Sequence, residues 1–253
     1  MKALIFAAGR GERMRPLTDH TPKPLLAAGG RMLIEWQIAA LAAAGIRDFV
    51  INTAHHAKLI EQTLGDGSRY SVRIRYSHEG NNAEDALETL GGILQALPLL
   101  GPRPFLVVSG DIVTDFDYAT LRNRAARIDT GARDAHFVLI DNPPYHPQGD
   151  MGLGASDPLA ASAASAASEE SVATLRPPCL TYANIAVFAP HVFAAEKPGR
   201  RRLFPWAFQL VEQGRVSAER YPGRWYNVGT PQDLENLDRE LTHRPLGRGE
   251  ARA

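Results

Sequence analysis

The amino-acid sequence predicts an α/β fold with three α/β/α layers, in which helices cover both faces of a mostly parallel, mixed central sheet. Over the first 110 residues, short apolar runs of strand length alternate with segments of helical periodicity. The run at residues 3–7 is apolar throughout, as expected for a strand buried on both faces. With 253 residues, the chain can bury a proper core, and we expect a single domain over residues 1–243.

The individual elements are predicted from two sequence patterns, one for strands and one for helices. Apolar or alternating runs predict strands at 3–7, 48–52, 71–77, 105–109, 135–141, 180–188 and 216–220. Apolar residues at helical spacing predict helices at 31–44, 57–64, 84–97 and 203–213. The helix at 84–97 contains Gly91 and Gly92, which are costly inside a helix and indicate that something approaches it closely. A last helix begins at Thr230, which can cap it, with Pro231 at its first position and Asp233 in its first turn.

Two segments of the chain carry no packing pattern. Residues 156–170 are rich in Ala and Ser, and we expect a flexible insertion there, with an Ala-rich helix as the alternative. Residues 244–253 are expected to form a frayed tail. Neither segment carries residues that suggest chemistry of its own.

Composition excludes several classes of protein. The 28 basic and 28 acidic residues cancel, so the chain has no general attraction for nucleic acid or a membrane surface, and we expect neither as a partner. Its one cysteine, Cys179, excludes an intrachain disulfide framework, and no Cys/His spacing suits structural zinc. No signal peptide or membrane-length apolar run is visible, which favours a cytoplasmic location.

The stretch from Leu4 to Pro24 combines a strand, a loop of small residues and several basic side chains. Ala8, Gly9 and Gly11 remove side-chain bulk, so that backbone N–H groups can approach an anionic ligand. Positive charge beside them comes from Arg10, Arg13, Arg15 and Lys23. The stretch lacks the Gly-Lys-Ser/Thr ending of a P-loop, and Met14 stands where a dinucleotide fingerprint has its third small residue. We therefore predict a phosphate-binding loop of another kind.

This stretch resembles the signature of the sugar-1-phosphate nucleotidyltransferase family, small-Gly-x-Gly-x-Arg-x-x-Pro-Leu-Thr followed by Pro-Lys-Pro. The residues in register are Ala8, Gly9, Gly11, Arg13, Pro16, Leu17, Thr18, Pro22, Lys23 and Pro24. The resemblance implies a Rossmann-like fold with a nucleotide-binding half at about 1–115 and a sugar-binding half at about 116–243. It also implies transfer of a nucleotidyl group from a nucleoside triphosphate to a sugar 1-phosphate, by a monomer or a small homo-oligomer.

The same resemblance assigns roles to individual positions. Arg13, Lys23 and Asp111 would be catalytic, and Asp111 and Asn227 would hold Mg²⁺. Asp150 and Asn184 would contact the sugar. The nucleotide would be bound by Ala7, Ala8, Gly9, Gly11, Glu12, Arg13, Glu79, Gly80, Thr89 and Gly91. Taken alone, Asp111 is better explained as a turn cap, and the phosphate-binding loop beside it is what favours the metal role. The positions assigned to the sugar could equally be a hairpin turn and a strand polar group.

Two positions in the sequence leave alternatives open, one for the identity of the substrates and one for the level of activity. Glu88-Thr89 followed by Gly91-Gly92 is similar to relatives that transfer uridylyl to muramic-type sugars, although Leu90 departs from their glycine run. The expected substrates are therefore UTP and N-acetylmuramate 1-phosphate, with guanylyl transfer to mannose 1-phosphate as the alternative. The family has Asp where this chain has Asn227, in Trp-Tyr-Asn-Val-Gly-Thr. The Asn at this position therefore has two interpretations: an active enzyme that binds Mg²⁺ weakly, or a catalytically weakened nucleotide-sugar sensor.

Overall fold

A computed structural model describes residues 1–80, 85–131, 133–156 and 171–246. Apart from residue 156, the predicted insertion at 156–170 lies outside the described residues, as do residues 247–253 of the predicted tail. The strands are β1 Lys2–Phe6, β2 Ala27–Ala28, β3 Arg31–Met32, β4 Asp48–Thr53, β5 Arg73–His78, β6 Phe105–Ser109, β7 Ile112–Thr114, β8 Ala135–Ile140, β9 Gly152–Ser156, β10 Ser171–Thr174, β11 Thr181–Phe188, β12 Val216–Arg220 and β13 Trp225–Asn227. The α-helices are α1 Leu33–Ala43, α2 Ala57–Leu64, α3 Glu88–Leu100, α4 Thr120–Asp129, α5 Trp206–Glu212 and α6 Pro231–His243.

The central sheet has nine strands in the order β5-β4-β1-β6-β11-β8-β12-β10-β9. Strands β5, β4, β1 and β6 are mutually parallel, and β8 is parallel to β12. Only β11 and β10 run against the rest, since each pairs antiparallel with both of its neighbours. The sheet is therefore mixed and mostly parallel, as predicted. In such sheets ligands bind at the carboxyl ends of the parallel strands, and we call this side the ligand edge.

Successive residues of β1 point to opposite faces of the sheet and enter two different cores. Ile5 belongs to a core with side chains of α1, α2 and α4, whereas Leu4 packs with side chains of α3 and α5. Both residues are completely buried. This arrangement confirms the three predicted layers.

A third, smaller core lies beside the ligand edge and joins distant parts of the chain. It contains Met14 from the loop after β1, Val113 from β7, Val228 after β13, and Leu237 and Leu241 from α6. Strands β7 and β13 form a separate two-stranded ribbon above this core. The ribbon and α6 are thereby held against the loop that the sequence predicts to bind phosphate.

The structure adds elements that the sequence analysis missed and moves several boundaries, among them the starts of α1, α3 and α5. Helix α3 begins at Glu88 and not at residue 84. Helix α4 was missed, although its buried residues Leu121, Ala125 and Ile128 recur at helical spacing. Strands β2, β3, β7, β9, β10 and β13 were also missed. Of these, β2, β3, β7 and β13 have only two or three residues each. Within the described part of the chain, no helix is long and apolar enough to cross a membrane.

Candidate active site

The loop after β1 is fixed at both of its ends by its own residues. Gly11 adopts a left-handed conformation with φ of +65°, and a Cβ there would lie 2.9 Å from the Thr18 side chain. Thr18 Oγ1 donates to the Gly11 carbonyl at 2.7 Å, and Met14 is buried in the third core. Arg13, between these anchors, stays exposed. The loop thus presents a charged side chain from a rigid backbone.

Asp111 lies just beyond the carboxyl end of β6, at the ligand edge. Gly110 lets the chain pass close to β1, because a Cβ there would lie 2.8 Å from the Phe6 carbonyl oxygen. The Gly110 N–H donates to that same oxygen at 2.9 Å. Lys23, on a short 3-10 turn, forms an ion pair with the Asp111 carboxylate. Two of the predicted catalytic residues are therefore in direct contact.

Asn227 lies next to Asp111 because of the ribbon that β7 and β13 form. Asn227 is opposite Ile112 in this antiparallel pair, and the Val228 N–H donates to the Asp111 carbonyl at 3.2 Å. Among the described residues, no group of three or more His, Cys, Asp or Glu could hold a metal ion. Magnesium needs no such group, since it keeps several waters and takes phosphate oxygens with one or two protein oxygens. The Asp111 carboxylate and Asn227 amide fit that donor set.

Arg13 lies against the start of α6. A Cβ at Gly229 would lie 3.4 Å from Arg13 Nη1, so the guanidinium is packed against this glycine. Asp233 Oδ2 accepts hydrogen bonds from the N–H groups of Gly229 at 3.0 Å and Thr230 at 2.8 Å. Thr230 Oγ1 in turn accepts from the Asp233 N–H at 3.2 Å, which confirms the predicted cap, and Arg13 lies against this start of α6.

A first cavity of about 220 Å³ opens beside the loop. Its lining residues are Phe6, Ala8, Gly9, Arg10, Asn52, Glu79, Ala86, Glu88, Thr89 and Ser109. Four of the predicted nucleotide-binding positions, Ala8, Gly9, Glu79 and Thr89, therefore face one space. Glu12 is exposed and pairs with Arg10 at 3.4 Å at the rim of the same loop.

Asn52, at the end of β4, is a residue of the first cavity that the sequence analysis missed. Its Oδ1 accepts from the Ala7 N–H at 2.6 Å, and its Nδ2 donates to Glu79 Oε1. The Leu87 N–H donates to Glu79 Oε2 at 2.7 Å. Burial raises the pKa of Glu79, although these hydrogen bonds favour its charged form. Asn52 thus connects the end of β1 to Glu79 in the cavity wall. The sequence does contain a sign of this role, because Asn52 is a polar residue near the end of an otherwise apolar strand.

Two of the predicted nucleotide-binding glycines, Gly80 and Gly91, pack against the protein itself. A Cβ at Gly91 would lie 2.3 Å from the Gly199 carbonyl oxygen, and the Gly91 N–H donates to the Arg201 carbonyl at 3.1 Å. Gly80 has φ of +155°, and a Cβ there would lie 2.1 Å from the Cβ of Asp85. The close approach predicted at α3 is confirmed, but the approaching group is the 199–201 segment of the chain itself.

A second cavity, of about 350 Å³, lies beside Asn227, where the ribbon meets α6. Its lining residues are Ile140, Asp141, Pro143, Tyr145, Tyr221, Pro222, Gly223, Trp225, Tyr226, Asn227, Val228, Asp233, Asn236, Leu237 and Glu240. The sequence analysis had identified Asn227 but not the aromatic wall around it. The lining comes from three separate stretches of the chain, 140–145, 221–228 and 233–240, so no local pattern could reveal it.

The two predicted sugar contacts line neither cavity. Asp150 Oδ2 accepts from the Tyr182 N–H at 2.8 Å, and its Oδ1 lies 3.2 Å from His146 Nε2. Asn184 has φ of +57° and sits where the pairing of β11 with β8 shifts register. Asp150 therefore holds the start of β11, and Asn184 lies at the irregular point of the same strand.

Comparisons with known proteins agree with this geometry. A sequence model of the nucleotidyl transferase family matches residues 2–157. An N-acetylmuramate α-1-phosphate uridylyltransferase of Neisseria meningitidis is 42% identical over 236 residues, covering 91% of this chain and 94% of that protein. A protein of the same name from Caulobacter vibrioides is 32% identical, over 91% and 92% of the two chains.

A similar fold occurs in a crystal structure from Bacillus anthracis described as a glucose-1-phosphate thymidylyltransferase. Its TM-score is 0.74 at 20% sequence identity, with 94% of each chain covered. This likeness confirms the Rossmann-like α/β fold. The family match and the two relatives covered over nine-tenths of their length lead to one conclusion: the chain belongs to the nucleotidyl transferase family.

Proposed function

We propose that this protein transfers the uridylyl group of UTP to N-acetylmuramate 1-phosphate and releases pyrophosphate. The observation that carries the proposal is the Lys23–Asp111 ion pair, which lies at the ligand edge between two cavities. The choice of UTP and of N-acetylmuramate 1-phosphate is supported by the two full-length relatives, which carry that activity in their names.

In this reaction an oxygen of the acceptor phosphate forms a bond to the α-phosphorus of UTP. The bond from that phosphorus to the β-phosphate oxygen breaks, and its electrons leave with pyrophosphate. The nucleophile is already an anion near neutral pH, so no general base is required. The protein must instead offset charge repulsion and hold four phosphate groups in position, three from UTP and one from the acceptor. Lys23 and Arg13 supply the two cationic groups for these tasks.

We assign Lys23 to the reacting phosphates and Arg13 to the departing pyrophosphate. Lys23 is held by Asp111 and has a side chain only 12% exposed, so its ammonium acts from a fixed and partly desolvated position. Arg13 rests against Gly229 at the start of α6, where the helix dipole adds to its positive charge. Both cations belong to rigid local structure, which limits reorganisation during the reaction.

We assign Mg²⁺ to Asp111 and Asn227. When bound there, the ion would neutralise phosphate charge beside the α-phosphorus. Because Asn227 contributes a neutral carbonyl oxygen where an Asp would add a full charge, we expect the nucleotide to supply most of the other ligands. The carboxylate of Asp111 must then be shared between the metal ion and Lys23.

The division of the chain into a nucleotide-binding half and a sugar-binding half is also proposed. Among the described residues, the lining of the first cavity lies entirely before position 115, and that of the second lies from 140 onwards. We propose that residues 1–115 bind UTP and that residues 116–243 complete the acceptor side, in a monomer or small homo-oligomer that works in the cytoplasm, where nucleotides are supplied.

The experiment that tests this function is a panel of five nucleoside triphosphates against four sugar 1-phosphates. The sugars are glucose, mannose, N-acetylglucosamine and N-acetylmuramate, and pyrophosphate release is measured with Mg²⁺ present. The proposal expects the highest kcat/KM for UTP with N-acetylmuramate 1-phosphate. A preference for GTP with mannose 1-phosphate would replace it with the guanylyl alternative. Binding of nucleotide sugars without any turnover would show a sensor.

A further inference from the structure

We propose that Asn52 is a positioning residue of the nucleotide site, and that its side-chain amide couples Glu79 in the wall of the first cavity to Ala7 at the start of the phosphate-binding loop. This inference deepens the proposed function and rests on it, because the ligand concerned is the nucleoside triphosphate. It assigns Ala7 and Glu79 to the support of the site, where the sequence had suggested direct contacts with the nucleotide.

The register of the strands brings the three residues together. In the parallel pair of β1 and β4, Asn52 lies opposite Phe6, the residue just before Ala7. The Glu79 N–H donates to the Thr53 carbonyl at 2.8 Å, so Glu79 extends the pairing of β5 with β4. Strand β4 lies between β5 and β1 in the sheet. The ends of three neighbouring strands therefore meet at Asn52.

The amide of Asn52 uses both of its ends in this contact. Its oxygen accepts from the Ala7 N–H at 2.6 Å, and its nitrogen donates to Glu79 Oε1. Asn52 is only 2% exposed, so these hydrogen bonds are shielded from water. A backbone N–H has one proton to donate, and that of Ala7 is directed at Asn52. Ala7 is therefore the fixed start of the loop.

The carboxylate of Glu79 is fixed at both of its oxygens. Oε1 accepts from Asn52, and Oε2 accepts from the Leu87 N–H at 2.7 Å. Leu87 directly precedes α3, whose first residues Glu88 and Thr89 line the first cavity. A continuous chain of hydrogen bonds thus connects the phosphate-binding loop to the α3 wall of this cavity.

Gly92 shows how closely α3 packs against this chain of hydrogen bonds. A Cβ at Gly92 would lie 2.4 Å from Glu79 Oε1 and 2.8 Å from Asn52 Nδ2, closer than a real side chain could come. Glycine is costly inside a helix, but here the missing side chain leaves room for the amide and the carboxylate. The helix backbone therefore limits the orientations that these two groups can adopt.

This arrangement predicts which substrate depends on Asn52. Loss of its amide would release Ala7 and, with it, the backbone that leads to Gly9 in the first cavity. It would also release the carboxylate that holds the start of α3. Both changes affect the proposed nucleotide side, so they should weaken binding of UTP and leave the acceptor sugar phosphate nearly unaffected.

An exchange of the two functional groups tests the coupling. Asn52→Asp places a carboxylate against the carboxylate of Glu79, and Glu79→Gln leaves one amide oxygen for two donors. The double variant Asn52→Asp/Glu79→Gln can form all three hydrogen bonds again. Its new carboxylate accepts from Ala7 and from the new amide, whose oxygen accepts from Leu87. The double variant also keeps the net charge of the wild type.

We expect each single variant to raise the Kd for UTP, measured by titration calorimetry with Mg²⁺, and the KM for UTP by about fivefold or more, the scale of one hydrogen bond. The KM for N-acetylmuramate 1-phosphate should change by less than about twofold. The double variant should return both UTP values to within about twofold of the wild type. The matched control is Thr53→Val, which removes the contact of Thr53 Oγ1 with His78 Nδ1 at 3.2 Å, on the opposite face of β4. It should lower the unfolding temperature and keep the UTP values.

Two outcomes overturn the inference and leave the proposed function intact. One is a double variant that binds UTP as weakly as the single variants, because the carboxylate of Glu79 would then act on the nucleotide directly. The other is a pair of single variants that unfold at lower temperature but bind UTP as the wild type does. If one single variant does not fold, comparison of the other with the double variant still decides. A wild-type enzyme that forms no nucleotide sugar from any substrate pair overturns the proposed function, and the inference with it.

Discussion

Lys23 and Asp111 lie 88 positions apart in the chain and form an ion pair at the ligand edge of the sheet. Their side chains are only 12% and 27% exposed. The pair joins the Pro-Lys-Pro turn to the end of β6, so each residue fixes the position of the other.

The first prediction concerns Arg13. Arg13→Ala should lower kcat/KM by about two orders of magnitude, the usual cost of removing one donor that stabilises a transition state. Its side chain is exposed, so the free energy of unfolding should change by less than about 0.5 kcal/mol. The matched control is Arg15→Ala, which removes a surface arginine paired with Asp19 in the same loop. Steady-state kinetics of both variants measure the two values of kcat/KM. If Arg15→Ala lowers kcat/KM as much as Arg13→Ala does, the effect comes from the general charge of the loop and not from Arg13.

The second prediction concerns the metal. Asn227→Asp adds a full negative charge beside Asp111, so it should lower the Mg²⁺ concentration that gives half-maximal rate. Asp111→Asn should nearly abolish turnover, because it removes the carboxylate and the partner of Lys23. A Mg²⁺ titration of initial rates measures both effects. If Asn227→Asp leaves the Mg²⁺ dependence unchanged, residue 227 is no metal ligand.

The third prediction concerns Gln37, a buried residue of α1 that supports the ribbon. Its Nε2 donates to the Ile112 carbonyl at 2.5 Å, and its Oε1 accepts from the Tyr118 hydroxyl at 2.6 Å. Gln37→Leu leaves both partners buried without a hydrogen bond, at a cost of about 1–3 kcal/mol for each. Urea denaturation should show this loss.

The control for this prediction is Gln95→Leu, which removes an exposed hydrogen bond from α3 to the His78 carbonyl. It should cost less than about 0.5 kcal/mol. Because Ile112 is opposite Asn227, Gln37→Leu should also raise the Mg²⁺ requirement, whereas Gln95→Leu should not. A Gln37→Leu variant as stable as the wild type would show that other groups satisfy Ile112 and Tyr118.

The fourth prediction concerns pH and a buried polar group far from the site. His136 Nε2 lies 3.2 Å from Glu219 Oε1, and Arg124 donates to Glu219 Oε2 at 3.2 Å. Burial opposes the charge of Glu219, but hydrogen bonds and charges from His136 and Arg124 outweigh it and lower its pKa to about 2. Burial also lowers the pKa of His136 below its ordinary 6.5.

Both pKa shifts make the folded protein less stable as the pH falls. Below pH 6.5 the unfolded chain takes up a proton on His136 before the folded chain does, so stability falls. The Glu219 contribution is full above pH 4.5 and is lost as pH falls toward 2. Unfolding free energies measured from pH 8 to 5 should therefore decline in the wild type, and His136→Gln should flatten that decline. Parallel curves for the two proteins would contradict the assignment.

Sequence alone could predict the elements whose signal is local. The strand at Lys2–Phe6, the helix at Ala57–Leu64 and the cap at Thr230 each follow from residues within one turn or one strand. The loop with Arg13 and Lys23 was likewise visible, because its residue types stand at fixed spacing. All of these features are present in the structure.

What the sequence could not predict depends on pairings between distant segments. Strands β7 and β13 have three residues each, too few for a periodic pattern, yet their pairing places Asn227 beside Asp111. The second cavity depends on the same pairing. Gly91 was expected to face the nucleotide, but the 199–201 segment occupies that space, and nothing near residue 91 indicates it.

The central claim, that the chain transfers a nucleotidyl group, is tested most directly by following two labels. UTP carrying ³²P at the α-position or at the γ-position is incubated with N-acetylmuramate 1-phosphate and Mg²⁺, with Asp111→Asn as the blank. The account predicts that the α-label appears in a UDP-sugar and the γ-label in pyrophosphate, with neither product formed by the blank. Appearance of the γ-label on the sugar or as orthophosphate, or equal product from Asp111→Asn, would contradict it.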